Sequence, residues 1–285
     1  MATWSSSCSA ADRRYNPRMI PTAKIAVIGI PSDGNSSFLT GAAAAPGHIR
    51  RALHSPSSNL CTESGFDLGG DERWRSAGDL GAVEEQPSFD LIEQHVSSLL
   101  RDGEKILALG GDHAISYPLI RAHAAVHPGL TILHLDAHPD LYDELDGSRT
   151  SHGCPFARVM EHGLASRMVS VGIRAPTPHL LEQADRFGVE TIAAGGDWRE
   201  AVASLEGPLY LSIDLDVLDP AFAPGISHYE PGGLTTREVL DIIHALPCPP
   251  TGVDIVELNP DRDIHGMTAM VAATLVKEIL AGMLG

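Results

Sequence analysis

The chain has 285 residues, enough for one large α/β domain or two small ones, and its 43% hydrophobic content supplies a full core. A net charge of −17 and a pI near 5.1 argue against a nucleic-acid or anionic-membrane partner and suit a cationic ligand. No apolar stretch is expected to reach the roughly 18 residues of a membrane span. Four scattered cysteines without a CxxC pair, Cys8, Cys61, Cys154 and Cys248, read as reduced thiols of a cytoplasmic protein.

In chain order, residues 1–22 are Ser-rich, carry Arg13, Arg14 and Arg18, and lack the apolar stretch of a signal peptide. They read as a disordered tail ahead of a single domain spanning 23–285, with a transit peptide as the other reading. Lys24 to Ile30 is the first β-type run, and Pro46 opens a helix through Arg50 and Leu53. Phe89, Ile92, Val96, Leu99 and Leu100 recur at helix spacing after Ser88. Further β-type runs are Lys105 to Leu109, Leu130 to Leu135, Met168 to Ile173, the weaker Thr191 to Ala193, Leu209 to Ile213, and Val253 to Val256. Thr235 and Glu238 form a capping box for a helix carrying Val239, Leu240, Ile243 and Leu246, and a long apolar helix fills Met267 to Met283. Strands apolar on both faces, alternating with helices, predict a three-layer α/β/α domain around a mostly parallel sheet.

Polar residues cluster where these runs end. Asp136-Ala137-His138-Pro139-Asp140 follows Leu135, and Asp214-Leu215-Asp216 follows Ile213. Side chains two apart in extended chain share a side, so Asp136, His138 and Asp140 can face one spot, with Asp214 and Asp216 opposite. Two carboxylates about 4 Å apart repel by roughly 4 kcal/mol at an effective dielectric near 20, so a cation belongs among them. His113 follows Leu109 through Gly110-Gly111-Asp112, and Glu257 follows Val256, so four strand ends contribute to one rim. Any one of these residues alone would more often cap a helix or satisfy a loop carbonyl; the joint pattern is a metal site. Carboxylates and imidazoles without thiolate favour a hard or borderline ion such as Mn²⁺, and six candidate ligands suit two ions. Cys154, two residues after His152, is weighed as a nucleophile and set aside as a buried filler, since no base is dedicated to it.

The segments GGDH (Gly110 to His113), DAHPD (Asp136 to Asp140), SHG (Ser151 to Gly153) and SIDLDVLDPAFAPG (Ser212 to Gly225) resemble the ureohydrolases, the arginase and agmatinase family. The resemblance runs from about Lys24 onward and includes Gly41, Pro46 and Arg50. SHYEPGGL (Ser227 to Leu234), VELNPDRD (Val256 to Asp263) and DAHPDLYDELDG (Asp136 to Gly147) look most like the plant-type arginase branch. It implies an arginase-like fold and two Mn²⁺ per chain. One ion would take His113, Asp136, Asp140 and Asp214; the other would take Asp136, His138, Asp214 and Asp216. Asp140 would also orient the attacking hydroxide, His152 would shuttle protons to the leaving amine, and Glu257 would pair with a guanidinium.

Departures fall where such enzymes read the substrate's tail. Tyr142 stands at a loop Asn of animal-type arginases, Ser148 and Thr150 at their polar loop contacts, and Thr177 near an ammonium-binding Asp. His228 stands where many relatives have Thr, and Arg149 lies in a loop where it could attract a carboxylate. The resemblance therefore implies a cationic guanidino substrate, arginine first, agmatine next and guanidinobutyrate third, in a homo-oligomer, trimer or hexamer. A zinc deacetylase is disfavoured because those enzymes use a single Asp-His-Asp site. A non-catalytic metal-binding relative is disfavoured because no expected ligand is missing.

Overall fold

A computed structural model describes residues 25–83 and 85–285. The tail expected over 1–22, and Lys24 at the start of the first run, lie outside the described residues. Eight strands form one sheet: β1 (Ile25–Gly29), β2 (Trp74–Asp79), β3 (Lys105–Leu109), β4 (Thr131–Leu135), β5 (Arg167–Ile173), β6 (Glu190–Ala193), β7 (Leu209–Asp214) and β8 (Gly252–Val256). Their order across the sheet is β2-β1-β3-β8-β7-β4-β5-β6. Every neighbouring pair is parallel.

Eight helices cover it: α1 (Ala45–Leu53), α2 (Phe89–Arg101), α3 (Ser116–Ala124), α4 (Pro155–Glu161), α5 (Pro178–Phe187), α6 (Arg199–Ala203), α7 (Thr236–His244) and α8 (Met267–Leu284). Side chains alternate across each strand, so Leu107 and Leu109 of β3 join one core while Ile106 and Ala108 join the other. The first core is closed by α1, α6, α7 and α8 through residues such as Ile49, Val202, Leu240 and Leu275. The second is closed by α2 to α5 through Ile92, Leu119, Phe156 and Leu180. This is the expected three-layer α/β/α arrangement, with the sheet parallel throughout.

Two sequence readings need correction. β2 was not foreseen, because WRSAGD lies at the sheet's outer edge, most of its side chains are exposed, and it carries no apolar run. α8 does reach the length and apolarity of a membrane span, contrary to the expectation that no segment would. It is a core helix here, with Leu275, Val276, Ile279 and Leu280 packed against the sheet side.

Candidate metal centre

The four central strands, β3, β8, β7 and β4, end side by side, and their C-terminal loops carry His113, Glu257, Asp214 with Asp216, and Asp136 to Asp140. The chain brings these groups together through turns rather than continued strand. Asp214 ends β7 and its carboxylate accepts from the Asp216 N–H (2.8 Å), capping a 3-10 turn over Leu215–Val217. Asp112 caps a second such turn, His113–Ile115. Gly111 makes that entry fit, since a Cβ there would sit 1.6 Å from the Ser32 carbonyl oxygen. Asp140 (φ 50°) and Glu257 (φ 65°) adopt left-handed backbone. For side-chain-bearing residues this costs about 1 kcal/mol or more each, and such strain concentrates at functional sites.

His113 Nδ1 is the focal atom. Three carboxylate oxygens approach it, from Asp140 at 3.0 Å, Asp136 at 3.1 Å and Asp214 at 3.3 Å. The residue is fully buried, yet Nδ1 makes no properly directed hydrogen bond. Three acceptors converging on one buried nitrogen without a directed hydrogen bond make a place for positive charge. Burial works against a charged ring there, but the three carboxylates outweigh it and push the His113 pKa well up. Burial, and then Asp216 and Asp136, drive the Asp214 carboxyl well above the ordinary carboxylate range. Burial and Asp136 push Asp216 the same way. The spot is short of positive charge, which a divalent ion would supply.

A second focus lies beside the first. His138 Nδ1 is 3.0 Å from Asp216 Oδ2 and 3.5 Å from Asp136 Oδ1. Asp136 therefore turns one oxygen toward each histidine. Its Oδ2 is held by His134 Nε2 at 2.8 Å, and His134 Nδ1 reaches Ser170 Oγ at 3.1 Å. With both nitrogens engaged, His134 orients Asp136 from behind, although it lies within ligand distance of His113 and Asp136. It was missed in the sequence because it sits inside β4, where it reads as core.

Opposite the carboxylates, Glu257 Oε1 accepts from the His113 N–H at 2.9 Å and from His152 Nδ1 at 3.1 Å. Burial lowers the His152 pKa, but the Glu257 hydrogen bond and charge more than reverse this, to about 9. Burial and Glu257 push the Asp112 carboxyl up to about 7. Asp112 accepts from the Asn35 N–H (2.9 Å), and the His152 N–H donates to the Asn35 carbonyl (3.0 Å). That loop delivers Ser37 Oγ to His152 Nε2 at 2.8 Å, a contact across 115 residues with no local sequence signal. Arg174, also unforeseen, donates to the backbone carbonyls of Asp216 (2.6 Å) and Glu230 (2.8 Å) and ties those loops together.

Of these groups, His138, Asp140, His152, Asp214, Asp216 and Glu257 wall a cavity of about 200 Å³ that also touches Tyr142, Leu180 and His228. The His228 ring stacks on His152 at 5.2 Å, and burial lowers its pKa. Ser148 and Thr150 hydrogen-bond one another at 3.1 Å in the exposed loop outside the wall. Thr177 caps α5, accepting from the Leu180 N–H, and Tyr142 Oη approaches it at 3.5 Å. Arg149 is paired with Glu161 at 2.9 Å. Cys154 is buried and its thiol is pushed up to about 11 by burial, which suits a filler and not a nucleophile. A larger cavity of about 530 Å³ lies between the end of α7, the loop into β8 and the end of α8. Its Glu278 is already held by His244 (3.0 Å) and the Glu63 N–H (2.7 Å). The chemistry is at the smaller one.

The donors present, four carboxylates and two imidazoles without thiolate, fit hard or borderline divalent ions. The profile of the Arginase family matches residues 23–282. Arginase 1, mitochondrial, of Oryza sativa subsp. indica is 44% identical over 91% of this chain and 81% of its own length. An agmatinase of Bacillus anthracis is 34% identical over 91% of this chain and 92% of its own. The structure of the arginase from Medicago truncatula superposes with a TM-score of 0.85 at 40% identity, covering 92% of this chain and 88% of that one. A rim of converging metal ligands at the centre of a parallel sheet, matched over nearly the whole chain, means that this protein belongs to the arginase family and is a metal-dependent hydrolase of guanidino C–N bonds.

Proposed function

We propose that the protein is a binuclear manganese arginase, hydrolysing L-arginine to ornithine and urea. The observation that carries the metal reading is the unsatisfied His113 Nδ1 facing three carboxylates, with Asp136 turned toward His138 as well. His113, Asp140, Asp136 and Asp214 would hold one ion, and His138, Asp216, Asp136 and Asp214 the other. When bound, the ions supply a hydroxide nucleophile at neutral pH.

The chain's own groups do the rest. Glu257 is fixed by the His113 N–H and faces the cavity, where its carboxylate pairs with a guanidinium and holds the carbon over the ligand cluster. Arrival of that cation competes for the contact between Glu257 and His152, leaving His152 Nδ1 free beside the reacting nitrogens. His152 then gives its proton to the leaving amine and recovers one from solvent, with the exposed Ser37 at its other nitrogen.

Arginine is favoured by the plant arginase relatives. Agmatine is the second reading, supported by the cavity wall: among the described residues lining it there is no arginine or lysine for an α-carboxylate. Guanidinobutyrate loses its motive because Arg149 is engaged by Glu161. Urea release from arginine and from agmatine, measured on Mn²⁺-reconstituted protein with metal analysis, tests both parts. A preference for agmatine would replace the substrate, and full activity at one ion per chain would sink the binuclear reading.

The relatives' organelle names do not support a cytoplasmic location. We read residues 1–22, Ser- and Arg-bearing with Asp12 as their one acidic residue, as a transit segment. A fluorescent fusion that stays cytosolic would restore the first reading.

A further inference from the structure

Ser212 and Asp254 lie opposite each other in the β7–β8 register, deep in the sheet and fully buried. Ser212 Oγ donates to Asp254 Oδ1 at 2.6 Å, and Tyr210 Oη donates to Asp254 Oδ2 at 2.7 Å. Both distances are in the range of hydroxyl hydrogen bonds to an ionised carboxylate, which can only accept. The single Ser212 hydroxyl hydrogen is thereby committed. Ser212 Oγ is also 2.9 Å from His113 Nε2, and with its hydrogen spent it can only accept there. Nε2 therefore carries a hydrogen, and Nδ1 of the neutral ring keeps its lone pair, aimed at the oxygens of Asp136, Asp140 and Asp214.

We propose that Asp254, acting through Ser212, is a positioning residue that fixes His113 as its Nε2–H tautomer and keeps Nδ1 available to a divalent cation. The proposal rests on the metal-centre reading above. The alternative arrangement, Ser212 donating to Nε2, would put the ring hydrogen on Nδ1, where it would oppose a cation. Tyr210 secures the far oxygen, so the carboxylate has no need to turn, and its ring is held edge-on by His123 at 5.0 Å. Nothing in this line of groups touches the substrate cavity, so its effect must pass through the ligand.

The test uses the full chain with Ser212→Ala and Asp254→Asn. Mn²⁺ titration followed by electron paramagnetic resonance should show one ion bound as in the wild type. The other should weaken by roughly 10- to 100-fold in Ser212→Ala, and less but measurably in Asp254→Asn. In Zn²⁺-loaded protein, nitrogen NMR of the His113 ring should show a protonated Nε2 and a coordinated Nδ1 in the wild type, and Ser212→Ala should lose the slowly exchanging Nε2–H. Melting of the metal-free proteins separates this from general loosening. Variants that melt earlier without metal yet bind both ions normally would show a purely structural role and overturn the proposal. So would wild-type affinity in Asp254→Asn, or a ring protonated at Nδ1. If the wild type holds a single ion, the binuclear reading fails, while the His113 ring signal still decides the tautomer.

Discussion

The two histidines of the centre occupy opposite situations. His113 is fully buried: its ring packs edge-on against Phe156 at 5.3 Å, Nε2 is held by Ser212, and Nδ1 meets three carboxylates. The His138 side chain is 24% exposed, meets the His228 ring at 5.9 Å, and has a partly exposed Glu230 carboxylate 3.6 Å from Nε2, too far for a hydrogen bond. One half of the centre is built into the sheet by neighbouring strands, and the other is presented to the cavity by loops. The difference teaches where rigidity is needed. The buried half fixes geometry, and the exposed half forms part of the cavity wall.

The largest effects should come from residues that join the halves. Asp136→Ala and Asp214→Ala should each disturb both ions and drop urea release to background, whereas His113→Ala should mainly weaken one ion. Metal analysis at matched free Mn²⁺ checks this, and loss of a single ion from Asp136→Ala would mean that the two foci are independent. Next come the groups facing the ligands. His152→Asn should lower kcat by roughly 10²- to 10⁴-fold with KM little changed, because it acts on a proton that moves during reaction. Glu257→Gln should lower kcat/KM severely, since a guanidinium is present in ground and transition states alike. Both variants should keep both metals. Steady-state kinetics beside metal counts separates the cases, and near-normal kcat in His152→Asn across pH would leave water as the proton donor.

Stability effects are smaller. Without ions, Asp136, Asp140, Asp214 and Asp216 face one another with little compensation. Each ion at 100 times its dissociation constant stabilises the fold by about 2.7 kcal/mol, so two ions contribute about 5.4 kcal/mol and a chelator should lower Tm by roughly 10 °C, restored by Mn²⁺. An unchanged melting curve for metal-free protein would mean that the cluster is well solvated. In that metal-free state the His152 pKa is raised to about 9 against an ordinary 6.5, burial being outweighed by Glu257. Its contribution is therefore full below about 6.5 and lost as pH rises through about 9. The Tm gap between wild type and His152→Asn in chelator should close over that window, and a gap that widened would reverse the assigned sign.

The sequence exposed the candidate ligands of both halves, because they follow strand ends. Asp136 and Asp214 follow apolar runs, and such runs are legible because parallel strands are buried on both faces. Asp254 was invisible as a functional residue, although a lone carboxylate inside the run Gly252–Val256 is itself a signal that something must satisfy it. Among helices, α5 had a readable start in Thr177 followed by Pro178, whereas α6 is five residues long and too short for any period. Ser37 and Arg174 act through contacts 115 and 42 residues away in the chain, which no local pattern encodes.

The smallest expected effect sharpens the comparison most. Glu230 is placed as an outer carboxylate for His138, the counterpart of Ser212 and Asp254 behind His113. Both partners are partly open to solvent, and a pair so exposed is worth about 1 kcal/mol or less, a factor of about five in affinity. Glu230→Gln should thus weaken the ion held by His138 by no more than about fivefold, and added salt should shrink the difference further. Manganese titration of the variant at low and high ionic strength measures this. A loss as large as that expected for Ser212→Ala, persisting in salt, would show that the loop half is as firmly preorganised as the sheet half. The contrast between the two histidines would then reflect access alone, with no difference in how firmly each ligand is held.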